Sequence, residues 1–200
     1  QLQSSAASDV YKRQVTSTTA DDYMSGMRFD IARMTALQKY MEVGASWTFS
    51  TWIKHTSPGA DFVLFGQTSS AYFSVRGDGS FFFVGSSNVQ TPTFSHNVWH
   101  HVVLSVGGGT AKIYVDGKLA AEGSSDSTFG NANTYIGREA SSTAFHRGGY
   151  MSDCYFLDGS ALSADTFGYN DDGTWRALPS TAVPSRFTRL QAPVVNQPYD

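Results

Sequence analysis

Cysteine is nearly missing from this 200-residue chain, with Cys154 as its only example. No internal disulfide can form, and no cysteine-based zinc pattern can be built. A lone cysteine in an apolar stretch reads as a small packing residue of a strand. Charge is scarce as well. Asp, Glu, Lys and Arg make up 16% of the residues, against about a quarter in an ordinary globular domain. The formal net charge is −3 and the sequence pI about 5.9. Lys and Arg form no stripe or block, so the basic footprint of a nucleic-acid partner is lacking. No apolar run approaches the ~18 residues of a membrane helix. The first residues show no charged segment leading into an apolar one. No Ser sits in a Gly-x-Ser-x-Gly elbow, which leaves Ser–His–Asp hydrolysis without its usual nucleophile setting.

What is present is β-forming. Hydrophobic residues reach 40%, aromatics 14%, and there are 19 Gly. Apolar alternation and turn residues predict strands at Met27–Phe29, Trp47–Lys54, Phe62–Gln67, Ala71–Arg76, Ser80–Val84, Val98–Val106, Ala111–Val115, Lys118–Ala121, Asn133–Gly137 and Tyr150–Leu157. Ile31–Met41 can be read as a helical turn or as a loop with a short strand. Gly77-Asp78-Gly79 predicts one hairpin turn, and Asp116-Gly117 is the strongest such signal in the chain. After residue 157 a short helical turn is expected, with Ser163 as its N-cap, and 178–200 reads as Pro-containing coil. Roughly ten to twelve short strands at roughly 8–12-residue spacing, with almost no helix, predict an all-β fold: a two-sheet antiparallel β-sandwich of the jelly-roll kind. We expect one domain over 27–178, a leader over 1–26 and a C-terminal coil over 179–200. Residues 1–14 carry no core pattern and resemble translated adapter sequence, so we expect no function from them.

Four pieces resemble, in order, the laminin-G-like branch of the concanavalin-A-like lectin/glucanase superfamily. They are TFSTWIK (48–54), WHHVVLSV (99–106), AKIYVDGKL (111–119), and YIGR (135–138) followed by 148–168. FLDGSALSADTFG with YNDDGTWRAL (156–178) is similar to domains of bacteriophage structural proteins. The resemblance implies a laminin-G-like sandwich. It also implies a non-catalytic binding or decoration module of a virion, in a tail fibre, baseplate or surface appendage. Its place would be the virion surface or another extracellular setting. Its partners would be host-surface glycan or neighbouring virion proteins, and self-association is compatible with the role. Two alternatives stand beside it: a calcium-dependent carbohydrate-binding or adhesion domain of a bacterial secreted protein, and a glycoside hydrolase of the same fold.

The hydrolase needs two carboxyls, about 5–5.5 Å apart for a retaining reaction. Only Glu42, Glu122 and Glu139 are glutamates, and none lies in a Glu-x-Asp-x-x-Glu pattern. Asp153 could be one acid, but Ser152 and Tyr155 beside it supply no second. His100 and His101 look like a metal or catalytic pair, yet neighbours on a strand point to opposite faces. His55, His96 and His146 fall in separate loop-like segments. We therefore expect Trp99 and His101 to be packing residues. The resemblance also implies Ca²⁺ at the sandwich rim, with Asp30 and Asp153 as the chosen ligands among Asp30, Asp61, Asp153, Asp158, Asp171 and Asp172. Arg76-Gly77-Asp78 is an adhesion tripeptide, but a hairpin turn explains it without further function. Tyr72, Tyr169 and Trp175, at strand ends or in loops, are the candidates for stacking on sugar. Phe81-Phe82-Phe83 must send at least one ring away from the neighbouring two, toward a contact surface or a second packed layer.

Overall fold

The structure is a computed structural model; it describes residues 43–138 and 148–178, with the backbone of short strands at 27–29, 38–41 and 188–189. In chain order the strands are β1 (Met27–Phe29), β2 (Gln38–Met41), β3 (Trp47–His55), β4 (Phe62–Thr68), β5 (Ala71–Val75), β6 (Ser80–Val84), β7 (Asn88–Thr93), β8 (Trp99–Gly107), β9 (Thr110–Val115), β10 (Lys118–Ser124), β11 (Ala132–Ile136) and β12 (Gly149–Asp158). A 3₁₀ turn (Ala164–Thr166) and the strands β13 (Gly168–Asp171), β14 (Thr174–Ala177) and β15 (Thr188–Arg189) follow. One sheet runs β1-β12-β3-β8-β9-β10, with β15 also on β12. The second runs β2-β11-β4-β5-β6-β7, and β13-β14 form a separate hairpin. All pairings are antiparallel. The fold is the expected two-sheet sandwich.

Aromatic side chains fill the space between the sheets. Trp47 lies 5.0 Å from Phe129, 5.9 Å from Phe65 and Phe156, and 6.0 Å from Phe83, centroid to centroid. Phe65 stacks on Phe49 at 4.7 Å and on Phe129 at 5.0 Å. Such pairs are worth about 0.5–1.5 kcal/mol each beyond the area they bury. The one polar atom of Trp47 is satisfied, since its indole N–H donates to Ser127 Oγ at 2.8 Å.

Strand β3 is buried on both faces. Its inner side chains Trp47, Phe49 and Ile53 enter the core. The outer Thr48 and Ser50 are covered by the segment after β12, which packs Ala164 and Phe167, with Trp175 and Leu178, over Val103, Tyr155 and Leu157. The buried hydroxyls are bonded: Thr48 donates to Ser160 O at 2.8 Å, and Thr51 to Ser152 O at 3.0 Å. Opposite Thr51 the β12 ladder slips between Ser152 and Tyr155, and Asp153 takes a left-handed φ of 48° to make the bulge.

Some expectations shift. The stretch Asn88–Thr93, which holds Pro92, is the edge strand β7, the position in a sheet where a missing N–H is tolerated. Asp171-Asp172-Gly173 is the turn of the β13-β14 hairpin, with Asp172 and Gly173 at φ 48° and 84°. Thr188–Arg189 pairs with β12 inside the expected coil. Ser163 is extended and makes no side-chain cap bond; the turn it precedes is too short to leave a row of orphan N–H groups. Gln38–Met41 is a strand, and the rest of Ile31–Met41 lies outside the described residues, as do residues 1–26.

Asp116 and Gly117 both adopt left-handed backbone, at φ 49° and 80°, as a two-residue type I′ turn requires. Gly117 serves a second purpose. A Cβ placed there would lie 2.2 Å from the Trp175 ring. Gly117→Ala should therefore cost about 2–4 kcal/mol, from turn strain plus overpacking, as read by urea unfolding. An unchanged unfolding midpoint would mean that the hairpin does not dock on this turn.

Candidate functional site

The two outer faces of the sandwich differ. On the six-stranded sheet, register places Tyr135, Gly66, Tyr72, Val84 and Asn88 in one cross-strand row, and Val63, Ser74, Phe82 and Gln90 in the next. Phe81 and Phe83 enter the core while Phe82 points outward. Phe82 lies 6.4 Å from Tyr72, and the Arg76 guanidinium sits 4.6 Å over its ring. A second such pair, Arg138 over Tyr135 at 4.4 Å, stands at the other end of the first row. Tyr72, Phe82 and Arg76 are each half-buried. Aromatic faces beside fixed guanidinium donors can stack on an apolar ring face while bonding hydroxyl or carboxylate oxygens.

The outer face of the other sheet is closed by the β13-β14 hairpin. Trp175 stacks on His101 at 5.9 Å and 23°, and its indole N–H donates to His101 Nδ1 at 3.0 Å. Indole nitrogen is a donor only, so Nδ1 accepts and the proton of the neutral ring sits on Nε2. That N–H meets Ser50 Oγ at 2.9 Å. Burial pushes the His101 pKa down from 6.5 to about 4, against a smaller opposing pull from Asp116. This matches the expected packing role, with a hydroxyl as partner. His100, on the inner face, bonds Asp116 Oδ2 at 2.7 Å; the other carboxylate oxygen of Asp116 accepts the His101 backbone N–H at 2.8 Å.

The three aromatic candidates are therefore separated. Tyr72 belongs to the six-stranded sheet. Tyr169 and Trp175 alternate on the hairpin, with Tyr169 sharing the outward face with Arg176 and Asp171. Tyr169 is 41% exposed, while Trp175 is spent on His101 and Gly117. Sequence reading missed Phe82 and Arg76 as partners of Tyr72. The run of three Phe was the available signal, but only the register shows which ring faces out.

The acids are engaged locally. Ser152 donates to Asp153 Oδ2 at 3.3 Å, the Gly77 N–H to Asp61 at 2.8 Å, and the Gly44 N–H to Asp158 at 2.7 Å. Asp171 pairs with Arg176, Asp172 forms its turn, and Glu122 pairs with Lys112 at 3.4 Å. Asp30, Glu42, Glu139 and His146 lie outside the described residues. Among the described residues, no three His, Cys, Asp or Glu side chains gather in a geometry to hold a metal ion, so the Ca²⁺ implied by the resemblance finds no cage there. In the Arg76-Gly77-Asp78 turn, Asp78 Oδ1 accepts from the Ser80 N–H at 2.8 Å and from its hydroxyl at 2.6 Å. These bonds hold the Asp78 carboxyl below its usual pKa.

Comparison with known proteins fits this architecture. The Laminin_G_3 family pattern, described as the Concanavalin A-like lectin/glucanases superfamily, matches residues 32–167. The chain belongs to that superfamily. No curated protein sequence matches it. Among solved structures it is similar to a Bacteroides ovatus protein provisionally described as carbohydrate-binding, at 17% identity and TM-score 0.50, over 70% of this chain and 53% of the other. It is also similar to the heptameric SAP-like pentraxin of Limulus polyphemus, at 20% identity and TM-score 0.45, over 63% and 70% of the two chains. A third likeness is to a Trypanosoma rangeli sialidase, at 16% identity and TM-score 0.48, over 60% and 22%. The match thus spans about a fifth of the sialidase and about half of the Bacteroides protein.

The buried neutral imidazole makes a pH prediction. A folded pKa below the unfolded 6.5 means that the unfolded chain binds more protons between pH 6.5 and about 4. Stability contributed by His101 is then full above pH 6.5 and lost as pH falls through that window, on the order of 3 kcal/mol in all. Urea unfolding should show this, and His101→Gln should flatten it. His55, also shifted down, acts in the same sense, so the difference between wild type and variant isolates His101.

Proposed function

We propose that this domain is a non-catalytic carbohydrate-binding module whose glycan lies on the outer face of the six-stranded sheet, against Tyr72, Phe82 and Arg76. The observation that carries the reading is the pair of outward aromatic rings with a guanidinium held over one of them. The opposite sheet offers no equivalent surface among the described residues, because the hairpin covers it. Superfamily membership and the description of the Bacteroides protein support the same class of ligand. For the setting, the likeness of 156–178 to phage structural proteins supports a virion surface appendage, with host-surface glycan or a neighbouring virion protein as partner. A hydrolytic role needs two facing carboxyls. Asp153 in its bulge and the ion-paired Glu122 do not resemble such a pair.

A glycan array of bacterial polysaccharides is the direct test. Wild type should bind at least one class. Tyr72→Ala and Arg76→Ala should each weaken it about tenfold, the equivalent of 1.4 kcal/mol, while Tyr169→Ala leaves it unchanged. Absence of binding, or equal binding by all three variants, overturns the reading. Reducing-sugar release that disappears in Asp153→Asn would instead make the protein a hydrolase.

A further inference from the structure

The face proposed for the glycan carries two guanidiniums, and each rests on an aromatic ring. Arg76 sits 4.6 Å over Phe82, and Arg138 sits 4.4 Å over Tyr135. The topology puts both at the same end of the face. Strands β11 and β5 are each antiparallel to β4, which lies between them. They therefore run in the same direction, about 10 Å apart. Tyr135 and Tyr72 stand level in one cross-strand row through Gly66. Arg138 and Arg76 follow them in the chain and so lie beyond that row on the same side. The backbone holds both in place: the Gly137 N–H donates to Leu64 O at 3.1 Å, and the Arg76 N–H to Ser80 O at 2.8 Å.

Among the described residues, neither arginine is neutralised by an ion pair. The pairs there are His100–Asp116, Lys112–Glu122 and Arg176–Asp171. The acids beside Arg76 are spent on their own turn, since Asp61 accepts from the Gly77 N–H and Asp78 from Ser80. No acid stands in either cross-strand row of the face. Arg138 Nε is buried without a hydrogen-bond partner. A guanidinium in contact with a ring face keeps its in-plane fork of N–H donors for oxygen acceptors. That fork matches carboxylate and phosphate-type oxyanions, to which it donates two parallel bonds. The net charge of the chain is −3, so a polyanion gains nothing from the protein as a whole. Attraction to one has to come from a local site such as this.

We propose that the glycan taken by this face is acidic, with one oxyanion group at Arg76 and a second at Arg138, along a chain supported by the Tyr72 and Phe82 rings. The inference rests on the glycan reading. It adds the charge of the ligand, and it makes Arg138 a specificity-determining residue that the glycan reading alone does not need.

The test compares acidic polysaccharides with uncharged counterparts on one array that also carries neutral bacterial glycans, at about 0.15 M salt, where long-range charge effects are screened. The pairs are polygalacturonate with its carboxyl-reduced form, and dextran sulfate with dextran. Wild type should bind the acidic member of at least one pair at least tenfold more tightly, and the pair concerned tells carboxylate from sulfate. Arg138→Gln should keep the fold by circular dichroism, weaken binding of that acidic member about tenfold and leave binding of uncharged glycans unchanged. Arg138→Lys, which keeps the charge but loses the fork, should recover only part of the affinity. Tyr72→Ala should weaken acidic and uncharged glycans alike. Binding confined to uncharged glycans, equal binding within both pairs, or full acidic binding by Arg138→Gln overturns the proposal and leaves the glycan reading standing. Absence of binding to every glycan overturns both.

Discussion

The pairing of β3 with β8 is the constraint on which the rest of the structure depends. Trp52 opposite His101 and Ile53 opposite His100 fix which histidine of the pair faces the core and which faces out. A slip of one residue would exchange the two faces along the whole strand, putting Val102, Leu104 and Val106 outside and Ser105 in the aromatic core. The same register sets Ser50 beside His101 and so determines where the hairpin carrying Trp175 can dock. It also points His55 toward the end of the core. Asp116 locks this arrangement from the turn, holding the side chain of one histidine and the backbone of the next.

The two sheets consequently have different surfaces. One is covered on its outer face along β3 and β8, where the segment that follows β12 takes up the Thr48 hydroxyl and the His101 imidazole. The other keeps half-exposed aromatic rings on its outer face. A sandwich needs only its inner faces to hold together, so an outward Phe82 with Arg76 laid over it calls for a separate reason. Ligand recognition supplies one. The closed face, by contrast, has its polar groups spent internally.

What the sequence made legible follows from what is local. The alternation through Trp99–Val106 gave the strand and the opposite facing of its histidines, and Asp116-Gly117 gave its turn, because both depend on neighbouring residues alone. The β13-β14 hairpin left no strand pattern: Gly168–Asp171 and Thr174–Ala177 are short, polar on one face, and pack only against the sheet beneath. Pro92 concealed β7, because a proline argues against a strand except at an edge, and edge position is a property of the assembled sheet. The meeting of His55, His96 and His100 was out of reach for the same reason. His55 and His96 read as separate loop-like segments, but His55 is the last residue of β3, and the pairing of β3 with β8 and the return of the β7–β8 loop bring the three together.

The docking of Trp175 bears on where this domain can be divided. The superfamily pattern ends at residue 167, one residue before the hairpin begins. A fragment cut at that boundary would retain both sheets and the whole aromatic core, yet leave Val103, Tyr155, Leu157 and Phe167 facing solvent, with His101 Nδ1 lacking its donor. Such a piece would carry an apolar patch that the intact chain does not have, and its natural remedy is to stick to another copy. The packed structure continues past that boundary to Leu178, whose backbone N–H closes the hairpin onto Phe167 O at 2.8 Å.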